Sequence, residues 1–384
     1  MAGQIVKRGE RKYLIRVSLG RDKGTGKRKH LDKTVHGSKR EAEAELTRLL
    51  RERDTGALIM PSKQSLDNYL DTWLETVAKA RVRESTFEDY KRVLAYYIRP
   101  ELGETQLQRL FAPDIQAAYS RLTARDLSAR TVRYAHGVLR DALGHAVQWR
   151  LLQTNPCDYV DLPRKEQNEM RCMSEEESHK FLEAARSARH FALFALLLST
   201  GLRPSEALAL KWADIDLREH SLKVQRKLTR PVGGSFKFEE PKTKQGRRTV
   251  DYPAGLTEIL LAHQAAQAEK LGPRRPSDLV FCGKTGDPLD ERNVLKRHFR
   301  PALKAAGLHA KTRLYDLRHT HATMLLASGT FAKVVSERLG HASVAFTLSV
   351  YGHVLPNMQR ATADRLDGML FGREQEEAEP RPLN

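Results

Sequence analysis

Five short segments in the C-terminal half of this 384-residue chain carry residue types able to work on a phosphate ester: Ser199–Glu206 (STGLRPSE), Pro241–Lys244 (PKTK), Tyr315–Thr320 (YDLRHT), Leu339–His341 (LGH) and Thr347–His353 (TLSVYGH). Attack on a phosphodiester crowds negative charge onto its nonbridging oxygens, and fixed donors must offset that charge. A guanidinium does this best, because it bonds two phosphate oxygens at once and stays charged at any working pH. Arg203 and Arg318 are the natural clamp. Arg203 lies between Gly201 and Pro204, and proline favours the first position of a helix, so the arginine's backbone is fixed by punctuation on both sides. Glu206 then falls in the first helical turn, where it stabilises the N-terminus and is placed to orient an arginine. Tyr315 precedes Arg318 by three residues and shares a helix face with it. Gly340 ends a helix and lets the His341 imidazole approach a phosphate closely. Tyr351 lies in the mixed run Phe346–Val354, where a tyrosine is ordinarily core or interface.

The elements that must position these groups are set in a basic chain. Lys and Arg outnumber Asp and Glu by 66 to 48, a formal net charge of +18. Each cation that neutralises a phosphate releases condensed counterions, so nucleic acid is the first partner to consider. The cations crowd the N-terminus, with Arg8, Arg11, Arg16, Lys27, Arg28 and Lys29 among them, whereas Glu374, Glu376, Glu377 and Glu379 make the other end acidic. The longest apolar stretch, Phe191–Leu198, is less than half of the roughly 18 residues a membrane span needs and is expected to be a buried helix. Met1–Arg11 lacks an apolar h-region, which predicts a cytoplasmic protein with no secretory signal. Cys157, Cys172 and Cys282 form no CxxC pair, which points away from disulfides and structural zinc.

Periodicity divides the chain into three domains and a tail. In residues 1–58, Tyr13, Ile15, Val17 and Leu19 alternate with other side chains, predicting a strand; Gly24-Thr25-Gly26 turns into a second basic extended run. Ser38 and Glu41 have capping-box spacing and open a helix with Ala42, Leu46 and Leu49 on one face. A unit this small has a thin core, so its basic surface is expected to serve DNA contact. Residues 63–165 read as all-helical: Ser85 with Glu88 predicts another capping box, followed by an inner stripe of Tyr90, Val93, Leu94 and Tyr97. From Ala129 to Trp149, Arg130, Arg133, His136 and Arg140 interleave with Val132, Val138 and Leu139, a basic face suited to phosphate contact. Residues 170–371 begin with Ser174 and an acidic first turn, continue helical to Ala213, extended from Ser221 to Tyr252, then helical to about Leu370. Residues 372–384 are an acidic tail.

The five segments, in this order, resemble the tyrosine recombinases, or phage-type integrases, whose active site holds two arginines, a lysine, a histidine pair and a nucleophilic tyrosine. The resemblance implies a multidomain, mainly helical fold with small β elements: an N-terminal sheet-plus-helix module like the arm-type DNA-binding domain of the larger integrases, a helical core-binding (SAM-like) domain, and a mixed α+β catalytic domain. It implies Arg203, Lys242, Tyr315, Arg318, His341 and Tyr351 as the catalytic set, with Glu206 behind them. Lys242 rests on its place after proline, and Lys244 shares its strand face; either lysine, its pKa lowered by neighbouring cations, could protonate the leaving 5′ oxygen. Arg247 and Arg248 are expected to bind the DNA backbone. The step of ten positions from His341 to Tyr351 matches the family's last segment. The family usually has histidine where this chain has Tyr315, which leaves a phenol as a neutral hydrogen-bond donor and shifts proton abstraction partly to water or another group. His319 and His321 read as structural.

Attack by Tyr351 would give a 3′-phosphotyrosyl bond of nearly unchanged energy, so strands are rejoined without ATP, metal or other cofactor. The implied partners are double-stranded DNA attachment sites of a mobile element, a homotetramer on two duplexes, and the accessory pair of a directionality factor and a host DNA-bending protein. A type IB topoisomerase uses similar residues but needs no separate basic N-terminus. A regulator that has lost the chemistry would not need the intact set from Arg203 to Tyr351.

Overall fold

Alternation of apolar and polar residues along three extended runs buries one face of a small sheet. The computed structural model describes residues 3–21, 26–56, 58–165, 171–230, 234–241, 244–273, 278–352 and 358–371. It divides into two units, residues 1–167 and 168–384. In the first, strands β1 (Gly3–Gly9), β2 (Lys12–Arg21) and β3 (Arg28–His36) form an antiparallel sheet in that order. The sequence pattern predicts only the second and third strands. Ile5 opposite Ile15, and Val17 opposite Leu31, face the helix Lys39–Asp54, where Ala42 and Leu49 complete a small core. Ser38 caps this helix in the expected box with Glu41. The predicted turn at 24–26 lies mostly outside the described residues.

The rest of the first unit is helical from Leu66 to Gln148, around Trp73, Tyr69, Leu94, Tyr119 and Leu139. Tyr69 donates to the Ala142 carbonyl at 2.5 Å, and Trp73 stacks on Tyr90 at 6.0 Å. Here two expectations fail. The helix Glu84–Val93 begins after Arg83, whose extended backbone makes it the N-cap; Ser85 therefore sits inside the first turn, and Glu88 pairs with Lys91 at 3.2 Å. His136 belongs to the core, not to the basic face, with Tyr119 Oη 3.2 Å from its Nδ1. Arg130, Arg133 and Arg140 are exposed on the helix Ala129–Gln148.

In the second unit, the apolar run Phe191–Leu198 becomes the helix Phe191–Thr200 at the centre of the main core. Phe181, Phe194 and Phe299 meet around it with ring centroids 5.3–5.6 Å apart. The helix expected to open at Ser174 with an acidic first turn is Glu175–Ala185, and there Ser174 and Glu177 also form a capping box. Strands β4 (Ile215–Asp216), β5 (Ser221–Val224) and β8 (Arg248–Asp251) make a second antiparallel sheet, and β6 (Lys227–Thr229) pairs with β7 (Lys237–Glu239) as a hairpin. The C-terminal part is mainly helical, and around 279–290 isolated bridges join Lys211 to Leu279 and Cys282 to Pro288. A second cluster of Leu326, Val335, Leu339 and Tyr351 joins the helices Asp316–Ala327, Ala332–Leu339 and Val344–Tyr351. Among the described residues no helix is long and apolar enough to cross a membrane.

Phe181 is fully buried, so Phe181→Ala should destabilise the second unit by about 3–5 kcal/mol, read as a lower urea midpoint; an unchanged midpoint would show that the aromatic trio is not its core.

Candidate active site

Two helix ends build the site. The helix Phe191–Thr200 stops at Gly201, in the left-handed region at φ 65°. The helix Ala332–Leu339 stops the same way at Gly340, φ 66°. Glycine is required at both positions by conformation and by crowding: a Cβ on Gly201 would lie 2.5 Å from the His321 ring, and one on Gly340 would lie 2.8 Å from the Gln245 carbonyl oxygen. Each end leaves carbonyls without helical partners, and cations take them. Arg318 donates from Nη1 to Gly201 O at 2.7 Å and from Nη2 to Leu339 O at 2.6 Å. Arg338 donates to Ser199 O at 3.0 Å, and its Nε reaches His321 Nε2 at 3.0 Å. His321 in turn bonds Leu198 O through Nδ1 at 2.7 Å, which fixes it as a neutral structural tautomer.

Arg318 is 1% exposed, yet its Nε–H has no hydrogen-bond partner among the described residues. Burial, with Arg203 adding to it, pushes its pKa down to about 10, so it remains a cation at neutral pH. The helix Asp316–Ala327 carries it inward, while Tyr315 at that helix's N-cap stays 37% exposed.

Arg203 takes the extended conformation just before the Pro204 helix. Glu206 accepts from Arg203 N at 3.0 Å and from Arg203 Nη1 at 2.7 Å. The same carboxylate accepts from Arg248 Nη2 at 3.0 Å. Burial works to raise the Glu206 carboxyl, but Arg248 and Arg203 hold it below the usual range. The expected orienting role of Glu206 thus has a geometry. Arg248, expected on the DNA-facing surface, is instead turned inward: its side chain is 7% exposed, and its Nε donates to Arg338 O at 2.6 Å. Its burial follows from the carboxylate waiting 42 positions earlier. Arg247 is exposed and paired with Glu240. Lys242 lies outside the described residues, as does the side chain of Lys244.

Tyr351 ends the helix Val344–Tyr351 and is 1% exposed. Its Oη lies 2.7 Å from His319 Nδ1. His341 stacks on the Tyr351 ring, with centroids 6.4 Å apart and planes 8° from parallel. Thr347 Oγ1 is 2.8 Å from His341 Nδ1, so a hydroxyl donating there leaves the imidazole proton on Nε2, where it can serve a phosphate oxygen. Tyr315 meets His319 edge-on at 5.1 Å. Burial pushes the Tyr351 phenol up, against the pull of Arg318 and Arg203. Burial, reinforced by Arg318, Arg203 and Arg248, pushes His341 down to about 3; burial likewise takes His319 to about 4.

The structure therefore gathers Arg203, Tyr315, Arg318, His341 and Tyr351 with Glu206 behind them, and adds His319, which sequence reasoning set aside as structural. One signal for it was available: Tyr315 and His319 are four apart, on one helix face. The anticipated DNA contacts lie elsewhere. Arg8, Arg11, Lys27, Arg28 and Lys29 are exposed on the N-terminal sheet, while Arg16 forms a two-bond pair with Asp32 at 2.7 and 2.8 Å. Arg133 donates to Pro163 O at 3.1 Å.

Comparison with known proteins follows this geometry. Residues 171–358 match the Phage integrase family, and residues 65–123 match the Phage integrase N-terminal SAM-like domain. A tyrosine recombinase XerC-like protein of Caldanaerobacter subterraneus subsp. tengcongensis is 31% identical over 95% of this chain and 98% of its own. The ICEBs1 integrase of Bacillus subtilis is 29% identical over 93% of this chain and 97% of its own. In fold, the chain is similar to the Tn1549 transposon integrase solved with a circular intermediate DNA, at TM-score 0.69 and 21% identity over 79% of this chain and 99% of that one. It is also similar to a lambda integrase tetramer bound to a Holliday junction, at TM-score 0.58 and 20% identity over 98% of this chain and 97% of that one.

The depressed histidines predict acid sensitivity. An unfolded histidine protonates near pH 6.5, whereas folded His319 and His321 resist to about 4 and His341 to about 3. The unfolded chain therefore binds more protons in this window, and stability, complete above about pH 6.5, is lost as pH falls toward 4. Buried His321 alone should contribute a slope on the order of 1 kcal/mol per pH unit. Urea unfolding at pH 7.5, 6 and 5 measures it, and a flat profile contradicts the burial of these rings.

Proposed function

Given that this chain belongs to the phage integrase family of tyrosine recombinases, site-specific enzymes that cleave and rejoin DNA, we propose that Tyr351 is its nucleophile and that Arg203, Arg318, His341 and Tyr315 hold the scissile phosphate. The observation that carries this assignment is the buried Nε–H of Arg318, without a partner among the described residues, on an arginine near enough to Tyr351 to act on the ionisation of its phenol. A donor so placed needs an acceptor brought from outside, and a nonbridging phosphate oxygen is one. Arg203, oriented by Glu206, supplies the second fork, and His341 a neutral donor.

The Tyr351 oxygen attacks phosphorus, the 5′ oxygen leaves with a proton from Lys242, and the strand end is stored as a 3′-phosphotyrosine. A free 5′-hydroxyl reverses the step. Because the ester stores the bond, rejoining draws on no ATP.

The finer features rest on analogy and on the charge distribution. The basic sheet of residues 1–58 is an arm-type DNA-binding module, residues 63–165 bind the core site with Arg130 and Arg133 toward phosphate, and residues 170–371 catalyse. Four protomers exchange strands between two duplexes at attachment sites, as the lambda integrase tetramer on a Holliday junction suggests. The element is mobile, the reaction integration or excision in the bacterial cytoplasm, and a directionality factor and a DNA-bending protein assist. The acidic tail lies outside the described residues.

A nicked suicide duplex carrying the attachment site tests the core of this reading. Wild-type protein should form an SDS-resistant adduct, and Tyr351→Phe should form none while still shifting the DNA in a gel; an adduct in that variant moves the nucleophile elsewhere. Dependence on one attachment sequence separates a recombinase from a topoisomerase.

Tyr315→Phe isolates one hydroxyl. As a transition-state donor it should contribute about 10²-fold to adduct formation, and a variant cleaving at the wild-type rate removes Tyr315 from the phosphate.

A further inference from the structure

The nucleophile must lose a proton, and the groups around it narrow where that proton can go. Arg203 and Arg318 are cations with no lone pair to offer. Tyr315 is itself a phenol, an acid of the same kind as the nucleophile, and so offers no stronger proton acceptor than Tyr351 itself. His341 lies face to face with the Tyr351 ring, and its Nδ1 is engaged by Thr347 at 2.8 Å. Among the described residues, the group in hydrogen-bond contact with the Tyr351 oxygen is His319 Nδ1, at 2.7 Å.

We propose that His319 is a catalytic residue of this enzyme: it takes the proton from Tyr351 as the phenol oxygen attacks, and returns it when the strand is resealed. The inference rests on the assignment of Tyr351 as nucleophile.

The atoms balance without a further reactant. As the bond from Oη to phosphorus forms, the Oη–H bond breaks and the proton passes to the Nδ1 lone pair. The bond from phosphorus to the 5′ oxygen breaks, and that oxygen takes a proton from Lys242. On resealing, the 5′-hydroxyl attacks phosphorus, the bond to Oη breaks, and the imidazolium gives its proton back to Oη.

The surroundings suit this cycle. Burial keeps His319 neutral before attack, so its lone pair is present when the proton sits on Nε2. Asp316, one turn back on the same helix, favours the imidazolium that forms, while Arg313 and Arg318 oppose it. The edge-on contact with Tyr315 at 5.1 Å restrains the ring. Burial weakens the imidazole as a base, so proton transfer must accompany the forming bond to phosphorus, and the distance requirement for that transfer is already met.

Single-turnover adduct formation on the nicked suicide duplex tests the proposal, with Tyr351→Phe run alongside. His319→Asn keeps a polar group near Nδ1 but cannot take a proton at neutral pH. His319→Ala opens the space to added imidazoles. Both variants should bind the duplex as wild type does and lose about 10²–10⁴-fold in adduct rate. Imidazole should restore the alanine variant, and more basic substituted imidazoles should restore it faster. His319→Asn within threefold of wild type overturns the proposal, since hydrogen bonding alone then suffices. Rescue absent, or indifferent to basicity, in a folded and DNA-bound alanine variant overturns it equally. Should the alanine variant fail to fold, the asparagine rate decides. An adduct in Tyr351→Phe is a different failure, that of the nucleophile assignment itself.

Discussion

A guanidinium held between the carboxyl ends of two helices is the constraint on which the site depends. Among the described residues Arg318 has no carboxylate hydrogen-bonded to it; its partners are Gly201 O and Leu339 O. Burying an unpaired cation costs several kcal/mol, and here the negative ends of two helix dipoles offset that cost. The choice of partner matters for function. A carboxylate would neutralise the arginine and repel an incoming phosphate, whereas carbonyl dipoles hold it in place and leave its charge uncancelled. Each carbonyl is available only because its helix stops at a glycine in the left-handed conformation, so two backbone turns set the position of one side chain.

The same economy governs the second arginine. One buried carboxylate, Glu206, serves both Arg203 and Arg248, so the cluster of Arg203, Arg248 and Arg318 carries net positive charge even after internal pairing. Arg248 extends from β8 to Glu206 and to the Arg338 carbonyl. It therefore joins the strand after the lysine segment to the Gly340 turn that presents His341. Its role is to hold pieces of the site in register, and its charge adds to the field a phosphate meets.

What the sequence disclosed, and what it withheld, follows the range of each interaction. The Ser38–Glu41 box and the helix start at Ser174 were legible because their signals lie within one turn, and Gly201-Leu202-Arg203-Pro204 was legible because glycine and proline constrain their own backbone. Ser85 and Glu88 had the same spacing, yet the extended backbone of Arg83 starts that helix first, and spacing alone cannot rank competing starts. Arg248 and Arg247 are neighbours with identical charge; only the position of Glu206, distant in sequence, separates the buried one from the exposed one. His319 was hidden for a related reason. Its partner lies on another helix 32 residues away, and a histidine next to a buried arginine otherwise looks like packing. The third strand, β1, escaped because its glycines and charges mask a weak alternation.

The ionisation states around Tyr351 complete the argument. Burial holds the phenol protonated and the imidazole of His319 unprotonated, so in the resting site the proton stays on oxygen. That arrangement has a chemical use. A resting phenolate would be paired with Arg318 and Arg203, neutralising the cations needed for the phosphate, and would be exposed to side reactions before DNA arrives. With the phenol neutral, the arginines keep their charge for the nonbridging oxygens. On the proposed assignment of Tyr351 as nucleophile, a phosphodiester anion between the arginines gives the oxygen an electrophile to attack, and proton loss can accompany bond formation. Under that proposal nucleophile activation is tied to substrate binding by electrostatics, through a proton that has a place to go only when the new bond begins to form.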